Sequence, residues 1–213
     1  MDKRKAIQRK NLLSIRIVLD RSGSMRGSEK STINALNRYL NDLKKAAVKG
    51  FITLSTFDSE SIEVPINEVH VDDLKDFSTD LLQPRGATPL FDAIGLAIFN
   101  LENIDSVAEN KKVLVIVTDG RENASKEYNY TNIKKMINEK EESGWLIIYL
   151  GADHDVFAQA ESLNFKKEKI MKYSKVDSED TFKAVSRATK DFSDGIENKH
   201  IAFTEDERRK SDK

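Results

Sequence analysis

The sequence predicts a doubly wound α/β fold: a central, mostly parallel sheet of about six strands, one antiparallel edge strand, and helices on both faces. Three observations predict it. Short β-branched or apolar runs alternate with longer amphipathic ones; two of the short runs, VLVIVT (113 to 118) and WLIIYL (145 to 150), are almost wholly apolar; and one run follows its predecessor too closely for a crossover helix. Strands covered on both faces need continuous apolar runs of that kind. A chain of 213 residues builds one well-cored domain, whereas two domains would leave both halves small.

The elements follow in order. LLSIRIVL (12 to 19) is the first strand, although Arg16 is a departure with no apolar explanation in an inner strand. Ile33, Leu36, Leu40, Leu43 and Ala47 recur at helical spacing, and Gly50 just beyond suits a left-handed cap. FITLSTF (51 to 57) and SIEVPI (61 to 66) form the close pair, so they are an antiparallel hairpin, and Pro65 places the second on the sheet edge. Leu90, Ile94, Ala97, Ile98 and Leu101 make a second helix behind Pro89, a residue favoured at the first helical position. The run at 113 to 118 precedes a third helix through Ile133, Met136 and Ile137, closed by Gly144. After the run at 145 to 150, Asp155 caps a short helix reaching Leu163, IMKY (170 to 173) is the last strand, and Phe182, Val185, Ala188 and Phe192 give the last amphipathic helix. Residues 1–11 are then an N-terminal extension, 12–196 the domain, and 197–213 a tail so charged that it is expected to be mobile or to dock weakly.

With 35 basic and 36 acidic residues, no global charge draws the protein toward nucleic acid or an anionic membrane, and the expected partner is a protein or a small ligand. The absence of cysteine excludes a disulfide framework, a thiolate zinc site and a cysteine nucleophile. His70, His154 and His200 have no metal-ligand spacing among them. The basic N-terminus runs into a short apolar segment broken by Ser14 and Arg16, which reads as neither a signal h-region nor a membrane span, so the expected location is the cytoplasm.

Chemistry is expected where strand order reverses, outside the carboxyl ends of the strands. Three segments reach that edge carrying oxygen: Asp20-Arg21-Ser22-Gly23-Ser24 after the first strand, Gly86-Ala87-Thr88-Pro89 before the second helix, and Thr118-Asp119-Gly120 after the run at 113. Together they offer two carboxylates and three hydroxyls without nitrogen or sulfur, a set that suits a hard cation such as Mg²⁺, with Mn²⁺ or Ca²⁺ as alternatives. Two aspartates balance a divalent charge and the hydroxyls add none, so a remaining coordination position is expected to accept a carboxylate from a partner. Each residue also has a plainer reading: Asp20 as a helix cap, Ser22 and Ser24 as turn residues, Thr88 as the N-cap before Pro89, Asp119-Gly120 as a turn. Arg21 and Arg26 either steer an acidic partner or are solvated surface, and Asp58, Asp153 and Asp155 either shape the rim or act as caps.

Asp-x-Ser-x-Ser after a first apolar strand, Thr-Pro before a later helix and Thr-Asp-Gly at the end of the next strand resemble the metal-ion-dependent adhesion site (MIDAS) of von Willebrand factor A (vWA) domains and integrin I domains. The resemblance covers about Leu12 to Phe192 and implies the Rossmann-like vWA fold. It also implies that Ser22 and Ser24 coordinate the ion directly, that Asp20, Thr88 and Asp119 do so directly or through water, and that a partner protein presents Asp or Glu to the metal. The segments VTDGRENAS and YLGADHDVFAQAESLNF look most like small prokaryotic or phage members of the family.

Two other functions compete. A phosphohydrolase of the haloacid dehalogenase type also places an aspartate after the first strand and uses Mg²⁺, but it resembles this chain poorly where it needs a second aspartate two residues later. That position is Ser22, and a hydroxyl does not shuttle protons near neutral pH. No GxxxxGK[ST] loop occurs either. The other alternative is a structural scaffold whose metal site stays empty.

Overall fold

A computed structural model describes residues 12–103, 110–152, 154–174 and 179–211, the side chains of 154–156 excepted. Six strands, β1 (Leu13–Asp20), β2 (Gly50–Phe57), β3 (Ile62–His70), β4 (Lys111–Thr118), β5 (Leu146–Gly151) and β6 (Ile170–Lys172), form one sheet in the order β3-β2-β1-β4-β5-β6. All neighbours are parallel except β2 and β3. The chain builds outward from β1 to β2 and β3, then returns to lay β4 on the other side of β1. The carboxyl ends of β1 and β4 therefore flank the point at which strand order reverses.

Alternation along the strands sends residues to two separate cores. Leu13, Ile15, Ile17 and Leu19 of β1 join Val113, Val115 and Val117 of β4 beneath α1 (Glu29–Lys45) and α5 (Glu179–Ser193). On the opposite face Val18, Leu114 and Ile116 pack under α2 (Leu90–Glu102), α3 (Tyr130–Glu142) and the end of α4 (His154–Ser162). A sheet buried on both sides has no solvent face, which is why β4 and β5 read as nearly unbroken apolar runs. Among the described residues no helix is long and apolar enough to cross a membrane.

Several local expectations are corrected. Gly50 is not a cap; it opens β2, where an added Cβ would lie 2.3 Å from the Leu13 carbonyl oxygen, and the left-handed residue after α1 is Ala47 (φ 53°). Pro89 occupies the N-cap of α2, one position before the first helical residue, and no side chain of residue 88 or 89 caps that helix. Its free amides are met from the β4–α3 loop instead: Phe91 N donates to Glu122 Oε2 at 2.8 Å and Asp92 N to Ser125 Oγ at 3.1 Å. Edge strand β3 runs four residues past the predicted end, to His70.

The segment after Glu197, expected to be mobile or weakly docked, carries apolar anchors that its composition conceals. Ile201 and Phe203 are buried in the α1/α5 core, Phe203 N donates to Glu168 O, and Asn198 Nδ2 donates to the carbonyls of Glu141 and Trp145. Helix α6 (Glu205–Ser211) is tied back by Glu207 accepting two bonds from Arg187 and by Arg208 donating to the carbonyls of Ile170 and Lys167.

Candidate metal centre at the carboxyl end of the sheet

Asp20 is the last residue of β1, and its even position points it to the α2 face, together with Thr118 at the end of β4. Thr118 Oγ1 donates to Asp20 Oδ2 at 2.5 Å, while Ser22 N donates to Asp20 Oδ1 at 2.7 Å. Asp20 therefore caps its own turn and not the following helix. Its carboxyl is 0% exposed, and burial pushes its pKa up to about 6; bonds from Thr118 and Ser22 pull it back, and the like charge of Asp119 pushes it further.

The Ser22–Ser24 turn crosses directly above. Ser22 Oγ and Ser24 Oγ are 3.0 Å apart, and Ser24 Oγ donates to Asp119 Oδ1 at 2.6 Å. Thr88 arrives from the β3–α2 loop: an added Cβ on Gly120 would lie 2.5 Å from Thr88 Oγ1 and 3.2 Å from Ser24 Oγ. Only glycine lets those two hydroxyls close over the end of β4. All five predicted site residues thus sit at one edge, Asp20, Ser22, Thr88 and Asp119 buried and Ser24 exposed. Hydroxyl and carboxylate oxygens are hard donors, and a buried carboxylate raised by desolvation and by a second carboxylate is one that a cation relieves, so the set fits a divalent ion. Among the described residues no three His, Cys or carboxylate groups cluster, so an ion at this edge depends on the hydroxyls.

The loops are fastened to one another. Gly23 N donates to Gly86 O, Arg85 N to Arg21 O and Ser59 N to Ala87 O. Thr88 N donates to Asn123 Oδ1 at 2.8 Å while Asn123 N donates back to Thr88 O at 3.1 Å. Glu122 is equally occupied, accepting from Ala124 N, Ser125 N and Phe91 N. Asn123 and Glu122 were missed in the sequence, and Thr118 was read there only as part of the Thr-Asp-Gly segment, without its role of donating to Asp20. Only Thr118 left a signal there, as an even-numbered polar residue in an apolar strand on the Asp20 face.

Arg21 is neither a steering group nor solvated surface. It is buried, with Nε on Asp58 Oδ2 at 2.7 Å and its two terminal nitrogens on Glu63 at 3.1 and 3.0 Å. Asp58 also accepts from Arg85 Nε and the amides of Glu60 and Ser61, so it locks the β2–β3 turn and does not reach the rim. Arg26 is exposed. Asp153 and the side chains of His154 and Asp155 lie outside the described residues.

A profile of the von Willebrand factor type A domain matches residues 14–189. The chain belongs to this family. Solved structures agree in fold: this vWA domain is similar to the pilus adhesin SpaC of Lactobacillus rhamnosus GG (TM-score 0.63, 15% identity, 85% of this chain and 30% of that one). It is also similar to proximal thread matrix protein 1 of the mussel byssus (TM-score 0.60, 14% identity, 82% and 47%). A third likeness is to the manganese-loaded TRAP protein of Plasmodium vivax (TM-score 0.54, 12% identity, 78% and 70%). The chain spans about half of the mussel protein and under a third of the pilus adhesin. No curated protein matches the sequence. vWA domains are in general protein-interaction modules, and many bind a divalent metal.

Proposed function

We propose that the carboxyl end of the sheet holds one Mg²⁺ or Mn²⁺, with Ca²⁺ as the larger alternative, and that the protein uses it to bind a partner protein through an Asp or Glu side chain. The observation that carries this reading is the convergence of Asp20 and Asp119, both buried, with the hydroxyls of Ser22, Ser24 and Thr88 around Gly120. Ser22 and Ser24 hold the ion through their hydroxyls, and Asp20, Asp119 and Thr88 complete its surroundings directly or through water. When bound, the ion supplies an electrophilic centre for an incoming carboxylate. Thr118 orients Asp20, and Asn123 fixes the height of Thr88, so the donors are aligned before any ion arrives. The work is binding and not turnover, because Ser22 stands where a phosphohydrolase needs a proton-shuttling carboxylate.

Calorimetry with Mg²⁺ and Mn²⁺ tests the site: one ion per chain is expected, weakened by Ser24→Ala and lost in Asp20→Ala combined with Ser22→Ala. Equal binding by the double variant refutes the assignment. Capture of a partner that is released by chelator and restored by Mg²⁺ supports the carboxylate mode, and affinity unchanged in chelator sinks it. Metal-dependent hydrolysis of a phosphoester panel, abolished by Asp20→Asn, would replace binding with catalysis.

A further inference from the structure

Arg16 has no part in the metal centre, and its surroundings are unusual. It sits mid-strand in β1, only 3% exposed, with Nη1 donating to Ser55 Oγ at 3.0 Å and Nε buried without a hydrogen-bond partner. Desolvation lowers its pKa to about 10, so it stays charged at neutral pH. A buried guanidinium normally rests on a carboxylate, as Arg21 does; among the described residues Arg16 forms no ion pair, and Glu68 acts on it only at a distance.

A cavity of about 400 Å³ opens beside it, lined by Arg16, Val64, Asn67, Glu68, Asn100 and Asn103. The volume lies in the range of small-molecule sites. Its wall is shaped by a β-bulge. Ile52 pairs with Val69 and Leu54 with Ile66, so Asn67 and Glu68 together oppose Thr53, the residue that pairs with Arg16 across the sheet. Glu68 takes a left-handed conformation (φ 49°), with its amide donating to Thr53 Oγ1. Bulges of this kind re-aim side chains, and here the bulge sets a carboxylate and an amide at the mouth of a pocket floored by a cation.

We propose that this cavity is a binding site for a small monocarboxylate, its charge against Arg16 and its remaining oxygen contacts supplied by the amides of Asn67 and Asn100; the Asn103 amide already donates to Phe99 O at 2.6 Å. Arg16 has no ion-pair partner in contact with it among the described residues, and Glu68, on which buried Lys112 also acts, neutralises it only at a distance, so Arg16 calls for a single negative charge brought against it. Glu68 at the wall selects against a second, so phosphate is a poor fit. The site lies on the α2 face of β1, away from the strand ends, and does not depend on the metal reading.

Metal-free, isotope-labelled protein titrated with sodium acetate and, separately, with sodium phosphate tests this by NMR. Acetate is expected to shift the Arg16 Nε–H and the side-chain amides of Asn67 and Asn100 saturably. Arg16→Met should weaken the response at least about tenfold, since it removes a charge-assisted bond. Ser24→Ala should leave it unchanged, separating it from the metal centre. Phosphate should bind more weakly than acetate in the wild type and gain in Glu68→Gln. If Arg16→Met does not fold, Asn67→Ala with Asn100→Ala makes the same comparison. No saturable acetate shift, an equal response in the Arg16 or asparagine variants, or phosphate binding as tightly as acetate overturns the proposal.

Discussion

Asp20 ends β1 and Asp58 follows its neighbour β2; both are buried, and they have opposite electrostatic fates. Asp58 is surrounded by Arg21, Arg85 and two backbone amides, and these hold its carboxyl below the usual range despite burial. Asp20 has a hydroxyl, an amide and a like charge for neighbours, and its carboxyl rises to about 6. The fold therefore neutralises one aspartate with its own cations and leaves the other without one, the place that the proposed function gives to a cation from outside. A binding centre is recognised here by incomplete compensation, not by acidity.

The largest expected effect breaks the compensated side. Asp58→Ala strands the buried Arg21 and should cost about 3 kcal/mol, read by urea denaturation; a loss under 1 kcal/mol would mean that Glu63 alone suffices. The uncompensated side should behave oppositely. Asp20→Asn removes a charge that the metal-free fold disfavours, so metal-free stability should be equal or higher while the Mg²⁺-induced rise in Tm disappears. A large drop in metal-free stability would place Asp20 with Asp58.

pH sharpens the contrast. A folded pKa raised above the unfolded value gives stability that is present below about pH 3.8 and lost as pH rises through about 6, so Asp20 weakens the metal-free protein at neutral pH. Asp58, with a lowered pKa, contributes stability above its unfolded value and loses it in acid. With Asp20 at the proposed ion, Mg²⁺ would compete with its proton, so the effect of Mg²⁺ on Tm should grow between pH 5 and pH 7.5; a flat profile contradicts the assignment. The smallest effect expected is Asn123→Ala. Loss of the hydrogen bond to Thr88 should cost about 1 kcal/mol and weaken Mg²⁺ about tenfold by calorimetry, with Ser22 and Ser24 still in place.

The sheet was legible because residues at odd and even positions of β4 and β5 face two cores, which forces apolar runs that no amphipathic element shows. The convergence of the five site residues was legible for a related reason: strand-end position and topology place them together whatever their side chains do next. What stayed hidden depends on contacts between distant segments. Gly50 reads as a cap in sequence because only the neighbouring strand, at Leu13, reveals why a Cβ is forbidden. Thr88 reads as an N-cap because the amides of α2 are met by Glu122 and Ser125, more than thirty residues on. Arg21 reads as surface until Asp58 and Glu63 fold over it, and the tail reads as mobile because two apolar residues, Ile201 and Phe203, outweigh its many charges.

That docked tail bears on assembly. An open sheet invites addition of a foreign strand at either border. At β6, which is three residues long, Arg208 donates to the Ile170 carbonyl and Phe203 N to that of Glu168 just before it, so the docked segment takes up acceptors beside that border. At β3, Pro65 has no amide to offer. Strand exchange and fibre-like stacking are discouraged at both borders, in keeping with the proposed use of the loops, where recognition would rest on side-chain chemistry and could be reversed.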